Sequence, residues 1–408
     1  VGSMIQSVTR RNLSLVDQTT VTDAHVAVLT NYLTPHHWKQ LQSASQRVSR
    51  MSVLLSTDME PNRNWTPNWG MLDVQVQKNV MLTRKWRHKA GFQEDNYIHI
   101  PWDTVKRLRQ MKPDIIISYE MGMRTLFSSM YRSMHNDCRL IMVANVSEHT
   151  EQGRGALRPW LRRYLKTHVD FVTYNGPGCK RYLMDQGHDE NKLVYFPYQH
   201  DVAKVWPGQH AFTEPPSRLF FCGSLSERKG IVRFSNALAT WCRENPDRQI
   251  ELVIGGDGPL RLVIETMSRP DNLTLTLLGP IDTDTIRDCY GSCDVTVFPT
   301  FADEWGMVVN ESLGSGTPIL SSCYAQSTEA LVRDGRNGWV FDPLNQQSVR
   351  HGLDRALNTP ALQMKHMSHD ARESVRHLTP DFNADLFQQL VQQALQSLTR
   401  SRPLSSTS

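Results

Sequence analysis

The sequence predicts an α/β protein made of two Rossmann-like domains, each with a parallel sheet and helices on both of its faces. A chain of 408 residues is too long for one simple hydrophobic core. Short, apolar, β-rich segments alternate along it with segments of helical spacing, as they do in parallel sheets with crossover helices. Proline, glycine and polar residues interrupt this alternation over residues 198–218 and divide the chain into two halves. Ligands of such folds bind at the carboxyl ends of the strands.

The predicted strands of the first half are residues 25–30, 52–55, 72–76, 115–118, 140–144 and 171–174. Helical spacing fills residues 103–111 and 122–134. The alternation is cleaner in the second half, where the predicted strands are 219–222, 251–254, 273–278, 295–298, 319–321 and 339–341. The helices between them are 229–241, 259–267, 283–290, 306–315, 328–333 and 346–357.

These elements predict a first domain at residues 4–205 and a second domain at residues 206–383. A helical run follows at residues 384–398, and we expect it to pack back on the first domain. Residues 399–408 carry no core signal, and we expect a disordered tail there.

Charge is distributed unevenly between the halves. Residues 1–205 hold 27 basic and 18 acidic side chains, a net charge of +9, and the remainder carries −5. This favours an anionic partner for the first half, although uneven surface charge is also common in two-domain enzymes. The sequence contains no run of about 18 apolar residues that could span a membrane, and the odd number of cysteines, seven, argues against a disulfide framework. We therefore expect a cytoplasmic protein. We expect no nucleic-acid partner.

Residues 298–318 form the most informative segment. Asp303 and Glu311 lie eight positions apart around a Trp305-Gly306 turn that opens an apolar helix. Backbone amides at a helix N-terminus suit a diphosphate, and the two carboxylates suit ribose and sugar hydroxyls. The alternative is an ordinary strand-turn-helix unit with surface acids.

Four more segments of the second half carry glycines at the ends of predicted strands. They are Gly223 to Gly230, Gly255 to Pro259 and Gly279-Pro280-Ile281, which precede the central segment, and Gly335 to Phe341, which comes after it. Together with the central segment, they resemble retaining glycosyltransferases of family 4 over residues 218–345. The resemblance implies a GT-B fold, in which the two parallel sheets face each other across a cleft. It also implies that the second domain binds a nucleoside diphosphate sugar and the first domain binds the acceptor.

The resemblance implies the site residues as well. Asp303, Lys229 and His149 are the expected catalytic residues, although Ser147 is an alternative to His149. The expected donor-binding residues are Gly223, Ser224, Arg228, Lys229, Gly256, Pro280, Ile281, Glu304, Trp305, Gly306, Met307, Val308 and Glu311. Arg124 and His36 are expected to bind the acceptor, although Arg124 also suits a surface carboxylate.

This sequence departs from the family pattern twice. Ser224 stands where the family has a diphosphate-binding Arg, and Asp303 stands where it has Glu. Losing a bidentate guanidinium is not a conservative change, so we expect Arg228 to supply the missing charge.

The implied reaction is transfer of a sugar to an acceptor hydroxyl with retention of configuration, in cell-surface polysaccharide or glycolipid assembly. The alternatives are a GT-B sugar-nucleotide epimerase and an inactive nucleotide-sugar-binding module. We expect no cofactor besides the nucleoside diphosphate sugar, which is a substrate. We also expect no metal, because the Asp282-Thr283-Asp284 triplet lies at the start of a predicted helix, where Asp is a preferred cap.

The run from Arg154 to Lys166 mixes five basic residues with Trp160, Leu161, Tyr164 and Leu165. Such a helix can lie on an anionic membrane, although it is more often a plain surface helix. The run favours an anionic or lipid-linked glycan acceptor and peripheral association with the inner membrane face.

Overall fold

The computed structural model describes residues 21–61, 68–155, 157–199 and 204–400. For residues 157, 399 and 400 it describes the backbone only. Two sheets dominate this part of the chain, and every strand pairing within them is parallel. The predicted α/β class with two Rossmann-like sheets is therefore confirmed.

The first sheet has the strand order β3-β2-β1-β6-β7-β8-β9. The strands of this domain are β1 (Thr22–Thr30), β2 (Val48–Leu55), β3 (Asp73–Val76), β4 (Asn79–Arg87), β5 (Gln93–Pro101), β6 (Ile115–Tyr119), β7 (Arg139–Ala144), β8 (Phe171–Tyr174) and β9 (Leu193–Tyr195). Its helices are α1 (Pro35–Ser45), α2 (Thr104–Met111), α3 (Met123–Met134), α4 (Leu157–His168) and α5 (Pro177–Asp185). Fully buried Val, Ile and Leu side chains on both faces of the central strands form the core.

The second sheet has the order β12-β11-β10-β13-β14-β15. Its strands are β10 (Arg218–Cys222), β11 (Ile250–Gly255), β12 (Leu273–Gly279), β13 (Val295–Phe298), β14 (Ile319–Ser322) and β15 (Gly338–Phe341). The helices are α6 (Ile231–Glu244), α7 (Arg261–Glu265), α8 (Thr283–Ser292), α9 (Met307–Ser315), α10 (Gln326–Leu331), α11 (Gln346–Leu357) and α12 (Ala361–Val375). The strand order reverses between β10 and β13, and such a switch point is where open α/β sheets bind ligands.

Strands β4 and β5 form an antiparallel hairpin that the sequence analysis missed. Most side chains of β4 are exposed, so the strand lacks the apolar alternation that marks a half-buried strand. The short strand β9 was missed too, because its three residues are too few to show a period.

The last helix, α13 (Pro380–Arg400), packs on the first domain. Phe387, Leu390 and Val391 are buried in the core that β1 and β2 build. Arg47 also pairs with Asp385 at 2.8 Å. The helix includes residues 399 and 400, which we expected in the tail, and residues 401–408 lie outside the described residues.

The carboxyl ends of the two sheets face each other. Asn175, which follows β8, donates its side-chain amide to the Glu304 carbonyl after β13 at 3.0 Å. Gln326 donates to the Val146 carbonyl after β7 at 3.1 Å. The loops expected to carry chemistry thus line one cleft. Within the described residues, none of the helices is long and apolar enough to cross a bilayer.

Candidate functional site

Two glycine loops form the floor of the cleft in the second domain. Gly223 follows β10, and Gly256 follows β11 with φ +129°, a value that strains other residues. A Cβ on Gly256 would overlap the carbonyl of Gly223, so the two loops touch through backbone alone. The close packing leaves main-chain groups at the ends of both strands. Ser224 is exposed beside them, Pro280 is exposed after β12, and Ile281 packs partly buried next to Gly255.

Helix α9 begins at the switch point and presents its N-terminus to the cleft. Gly306 precedes it with φ +97°, and a Cβ there would lie 2.5 Å from the Phe298 ring. No side chain caps this helix, and its first turn holds no acidic residue. The first-turn amides, those of Met307 and Val308 among them, are therefore suited to an anion.

A charged cluster lies next to this helix. Lys229 Nζ is 2.5 Å from Asp303 Oδ2, and Arg228 Nη1 is 3.5 Å from the same oxygen. Burial lowers the pKa of Lys229, although the neighbouring carboxylate favours its charged form. Burial alone would raise the pKa of Asp303, but attraction by Lys229 and Arg228 outweighs it and leaves the pKa below its ordinary value. The cluster thus holds two cations and one anion.

The hairpin of the first domain completes this cluster. Glu94 on β5 accepts from Arg228 Nε at 2.7 Å and from Ser226 Oγ at 2.8 Å. Trp86 and Phe92 of the hairpin are buried against Phe301 and Ala302 of the second domain. A carboxylate of one domain therefore orients a guanidinium of the other. Glu94 is not predictable from the sequence, because the residues of the hairpin carry no strand pattern.

Glu311 is buried on α9. Tyr290 donates its hydroxyl to Glu311 Oε2 at 3.1 Å, and Lys204 Nζ lies 3.3 Å from Oε1. Both contacts hold the carboxylate in place. Neither Tyr290 nor Lys204 was predicted, because each meets Glu311 only through tertiary packing.

His149 borders the cleft from the first domain. Its carbonyl accepts from His88 Nε2 of the hairpin at 2.7 Å, and its ring meets Tyr324 edge-on at 4.9 Å. Ser147, the alternative, is buried and bonded to Thr150, so the structure leaves His149 as the more accessible of the two.

Glu304 lies in the crowded cleft, with 54% of its side chain still exposed. Removal of water by the surrounding protein raises the pKa of this carboxyl to about 7, although Arg154 at 3.7 Å opposes the change. A carboxyl with this pKa is half protonated near neutral pH.

The Trp305 side chain is directed into the protein and not toward the glycine loops at Gly223 and Gly256. It is buried, donates from Nε1 to Asn310 Oδ1 at 2.7 Å and stacks on Tyr198 at 5.5 Å. Contact with a donor is therefore left to its backbone.

The structure does not support Arg124 as an acceptor ligand. The guanidinium is 4% exposed and donates to Asn31 Oδ1, Ser56 Oγ and the Tyr119 carbonyl. These bonds tie the loops after β1, β2 and β6 together, which is a structural role. His36, on the first turn of α1, is half-buried 5.9 Å from the Tyr198 ring and borders the cleft.

The Asp282 carboxylate caps α8, as predicted, by accepting from the Thr285 amide at 2.8 Å. Asp284 pairs with Arg287 at 3.0 Å. The two carboxylates thus have separate partners.

The basic run from Arg154 to Lys166 is mostly engaged inside the protein. Arg154 lies 3.6 Å from the centre of the Trp86 ring, and Arg158 and Arg162 both pair with Glu151. Arg163 and Trp160 remain exposed, the latter by 66%.

Known proteins resemble the chain at this site and in overall fold. Residues 202–374, which hold the second-domain loops described above, match the family model for glycosyl transferases group 1. An uncharacterized glycosyltransferase of Methanocaldococcus jannaschii is 26% identical over 181 residues, 42% of this chain and 45% of the relative. The GDP-mannose-dependent alpha-(1-6)-phosphatidylinositol dimannoside mannosyltransferase of Mycobacterium tuberculosis is 34% identical over 153 residues, 37% of this chain and 38% of the relative. The chain thus aligns with less than half the length of these relatives.

The Anabaena protein HepE, solved in complex with UDP-glucose, superposes with a TM-score of 0.65 at 15% identity. The superposition covers 92% of this chain and 100% of HepE. This likeness shows the GT-B fold.

Proposed function

We propose, from the premise that its second domain is a group 1 glycosyltransferase domain, that the protein transfers a sugar from a nucleoside diphosphate sugar to an acceptor hydroxyl with retention of configuration. The observation that carries the proposal is the pair Lys229 and Arg228 beside the uncapped start of α9, at the switch point of the sheet. Two cations and a helix N-terminus neutralise a diphosphate and help it leave.

In this proposal the diphosphate binds the first-turn amides of α9 and Lys229, with Arg228 in place of the Arg missing at Ser224. Asp303, which touches Lys229, contacts the transferred sugar, and Glu311 contacts the ribose hydroxyls. The bond from the anomeric carbon to the phosphate oxygen breaks as the acceptor oxygen bonds to the same face. The departing phosphate oxygen takes the acceptor proton, so no protein base is required. His149 would border the sugar from the opposite domain and help to exclude water.

The test is binding and product analysis with UDP-glucose and GDP-mannose. Glu311→Ala should weaken the binding of the free nucleotide and of the nucleotide sugar alike. Asp303→Ala should weaken the binding of the nucleotide sugar only. Glu265→Ala, an exposed acid on α7, is the control and should change neither. Equal losses of free-nucleotide binding in the first two variants would contradict the assignment.

Turnover itself separates the alternatives. Epimerisation would release nucleoside diphosphate without any acceptor, and an inactive module would bind the donor without turnover. We also propose that no metal is required, because Lys229 and Arg228 supply the positive charge. Activity should therefore survive EDTA, and full loss that manganese restores would contradict this.

We propose further that the acceptor is an anionic, lipid-linked glycan in cell-surface polysaccharide or glycolipid assembly, and that the protein associates peripherally with membranes. The basic first half and the exposed Trp160 and Arg163 on α4 support this. The name of the Mycobacterium tuberculosis relative, a phosphatidylinositol dimannoside mannosyltransferase, points in the same direction.

A further inference from the structure

A cavity of about 260 Å³ lies between the domains, with His149 in its wall. Glu148 and His149 line it from the loop after β7, and Arg181 lines it from α5. Tyr324 and Glu329 line it from the second domain. Neither Lys229 nor the first turn of α9 belongs to its wall, so the cavity adjoins the proposed diphosphate site and is separate from it.

The walls of this cavity have the chemistry of a site for hydroxyl groups. Arg181 donates to both oxygens of Glu329, one at 2.9 Å, and its Nη2 lies 3.9 Å from Glu148 Oε1. Between 38% and 52% of each of these three charged side chains remains exposed, so their outer lone pairs and N–H groups can reach a ligand. The partly buried Tyr324 ring adds an apolar surface for the C–H face of a sugar ring.

The charge balance selects against an anion. Two carboxylates, Glu148 and Glu329, face one guanidinium, so a phosphate here would meet a net negative wall. The volume of about 260 Å³ has room for a single sugar ring. We infer that this cavity binds an uncharged, hydroxyl-rich ring, a sugar or cyclitol, which is the accepting unit of the acceptor. The inference rests on the proposed function, because only transfer to an acceptor gives such a ring a reason to lie beside His149.

The cavity adjoins the residue that is proposed to contact the transferred sugar. The carbonyl of Tyr324 accepts from the Asp303 amide at 3.2 Å. A ring that packs on Tyr324 would therefore lie close to Asp303, because the two residues are hydrogen-bonded through their backbones. The Asp303 side chain is proposed to contact the transferred sugar. Donor sugar and accepting ring would be neighbours, as a transfer reaction requires.

The experiment is saturation-transfer NMR and calorimetry on the full chain, with a panel of free hexoses, myo-inositol and inorganic phosphate, in the presence and absence of UDP. We expect millimolar binding of at least one uncharged ring. Tyr324→Ala and the isosteric Glu148→Gln should weaken it at least fivefold and leave the dissociation constant of UDP-glucose within twofold. Arg336→Ala, an exposed arginine outside the cavity, should change neither.

Absence of binding by every uncharged ring, or displacement of a bound ring by inorganic phosphate, would overturn the inference. Loss of UDP-glucose affinity in Tyr324→Ala equal to the loss of ring affinity would also overturn it, by placing the cavity in the donor site. Failure of the proposed function gives a different result, because the wild-type protein would then transfer no sugar to any acceptor, whether or not it binds a ring. Ring binding in that case would leave a sugar site but remove its role as acceptor site.

Discussion

At the scale of single residues, the ion pair between Lys229 and Asp303 is the feature on which the proposed site depends. The side chains are 17% and 12% exposed, so each charge needs the other for as long as no ligand is bound. A diphosphate sugar would add phosphate oxygens to Lys229 and hydroxyl groups to Asp303, and the pair would then hold the ligand from both ends.

Lys229→Ala should weaken UDP binding by about 10- to 150-fold, because a hydrogen bond to a charged group contributes about 1.5–3 kcal/mol. It should also lower the melting temperature, since the buried Asp303 carboxylate then keeps Arg228 but loses its nearer cation. Calorimetry and thermal unfolding measure the two effects. Adding Asp303→Ala should recover part of the stability but none of the affinity. Lys365→Ala, an exposed lysine on α12, is the control, and UDP affinity equal to that of this control would remove Lys229 from the site.

Glu304 should make stability depend on pH. Its folded pKa of about 7 lies above the ordinary value of 4.5, so the folded state binds more protons between these pH values. Stability of the wild type therefore falls as pH rises through this window. Glu304→Gln should match the wild type at pH 4 and exceed its melting temperature above pH 7, by a small margin because the side chain is half exposed. A melting-temperature difference that stays constant from pH 4 to 8 would contradict the assignment. Glu265→Gln is the control.

At the scale of elements, the β4–β5 hairpin connects the domains at the site. Its two faces differ because side chains alternate along each strand. Glu94 faces Arg228 of the second domain, whereas the next residue, Asp95, pairs with Lys85 within the hairpin at 2.7 Å. The two adjacent acids therefore give a matched comparison.

Glu94→Gln should reduce UDP affinity and the rate of turnover, because Arg228 loses the carboxylate that orients it. Asp95→Asn should leave both unchanged, since its ion pair is exposed and contributes little. Titration calorimetry and steady-state kinetics are the measurements. If Glu94 only stabilised the fold, the melting temperature would fall while UDP affinity stayed at the wild-type value. That result would exclude a positioning role.

Helix α4 requires a narrower membrane test than its sequence suggests. Charge reversal at Arg158 or Arg162 would break the pairs with Glu151 and disturb the fold. Trp160→Ala combined with Arg163→Glu should instead abolish sedimentation with anionic vesicles at low salt and preserve UDP binding. Each basic residue contributes about 1 kcal/mol near an anionic surface, so binding should be weak and should be lost as salt rises. A wild type that ignores anionic vesicles at low salt would end the membrane proposal.

At the scale of the whole molecule, the described part of the chain passes from the first domain to the second and then returns to the first. The segment after β9 leads into the second domain, and α13 returns to the first domain and completes its core. The folding of each domain is therefore linked to that of the other.

Phe387→Ala should cost about 3–5 kcal/mol of unfolding free energy, the usual result of removing a buried phenylalanine. The loss should appear in the unfolding of the first domain, even though Phe387 follows the second domain in sequence. Denaturant unfolding with probes in each domain measures it. Leu362→Ala, on α12, is the control because Leu362 is 69% exposed. An unchanged first-domain transition would mean that α13 is peripheral to that core.

The sequence by itself determined the two parallel sheets and most second-domain loops of the site. Both follow from local patterns, since buried parallel strands are continuous apolar runs and a loop such as Gly223 to Gly230 must lie at the end of its own strand. The cap at Asp282 was predictable for the same reason, as its bond reaches only three residues ahead.

Only the tertiary structure decided which distant side chains meet there. Glu94 reaches Arg228 across 134 residues, and Glu311 meets Tyr290 inside the second domain. The burial of Arg124 and Arg162 was equally hidden, because a charged residue is expected at the surface until a buried partner appears. Such contacts arise when separate elements pack together, and no periodicity in the chain records which elements those are.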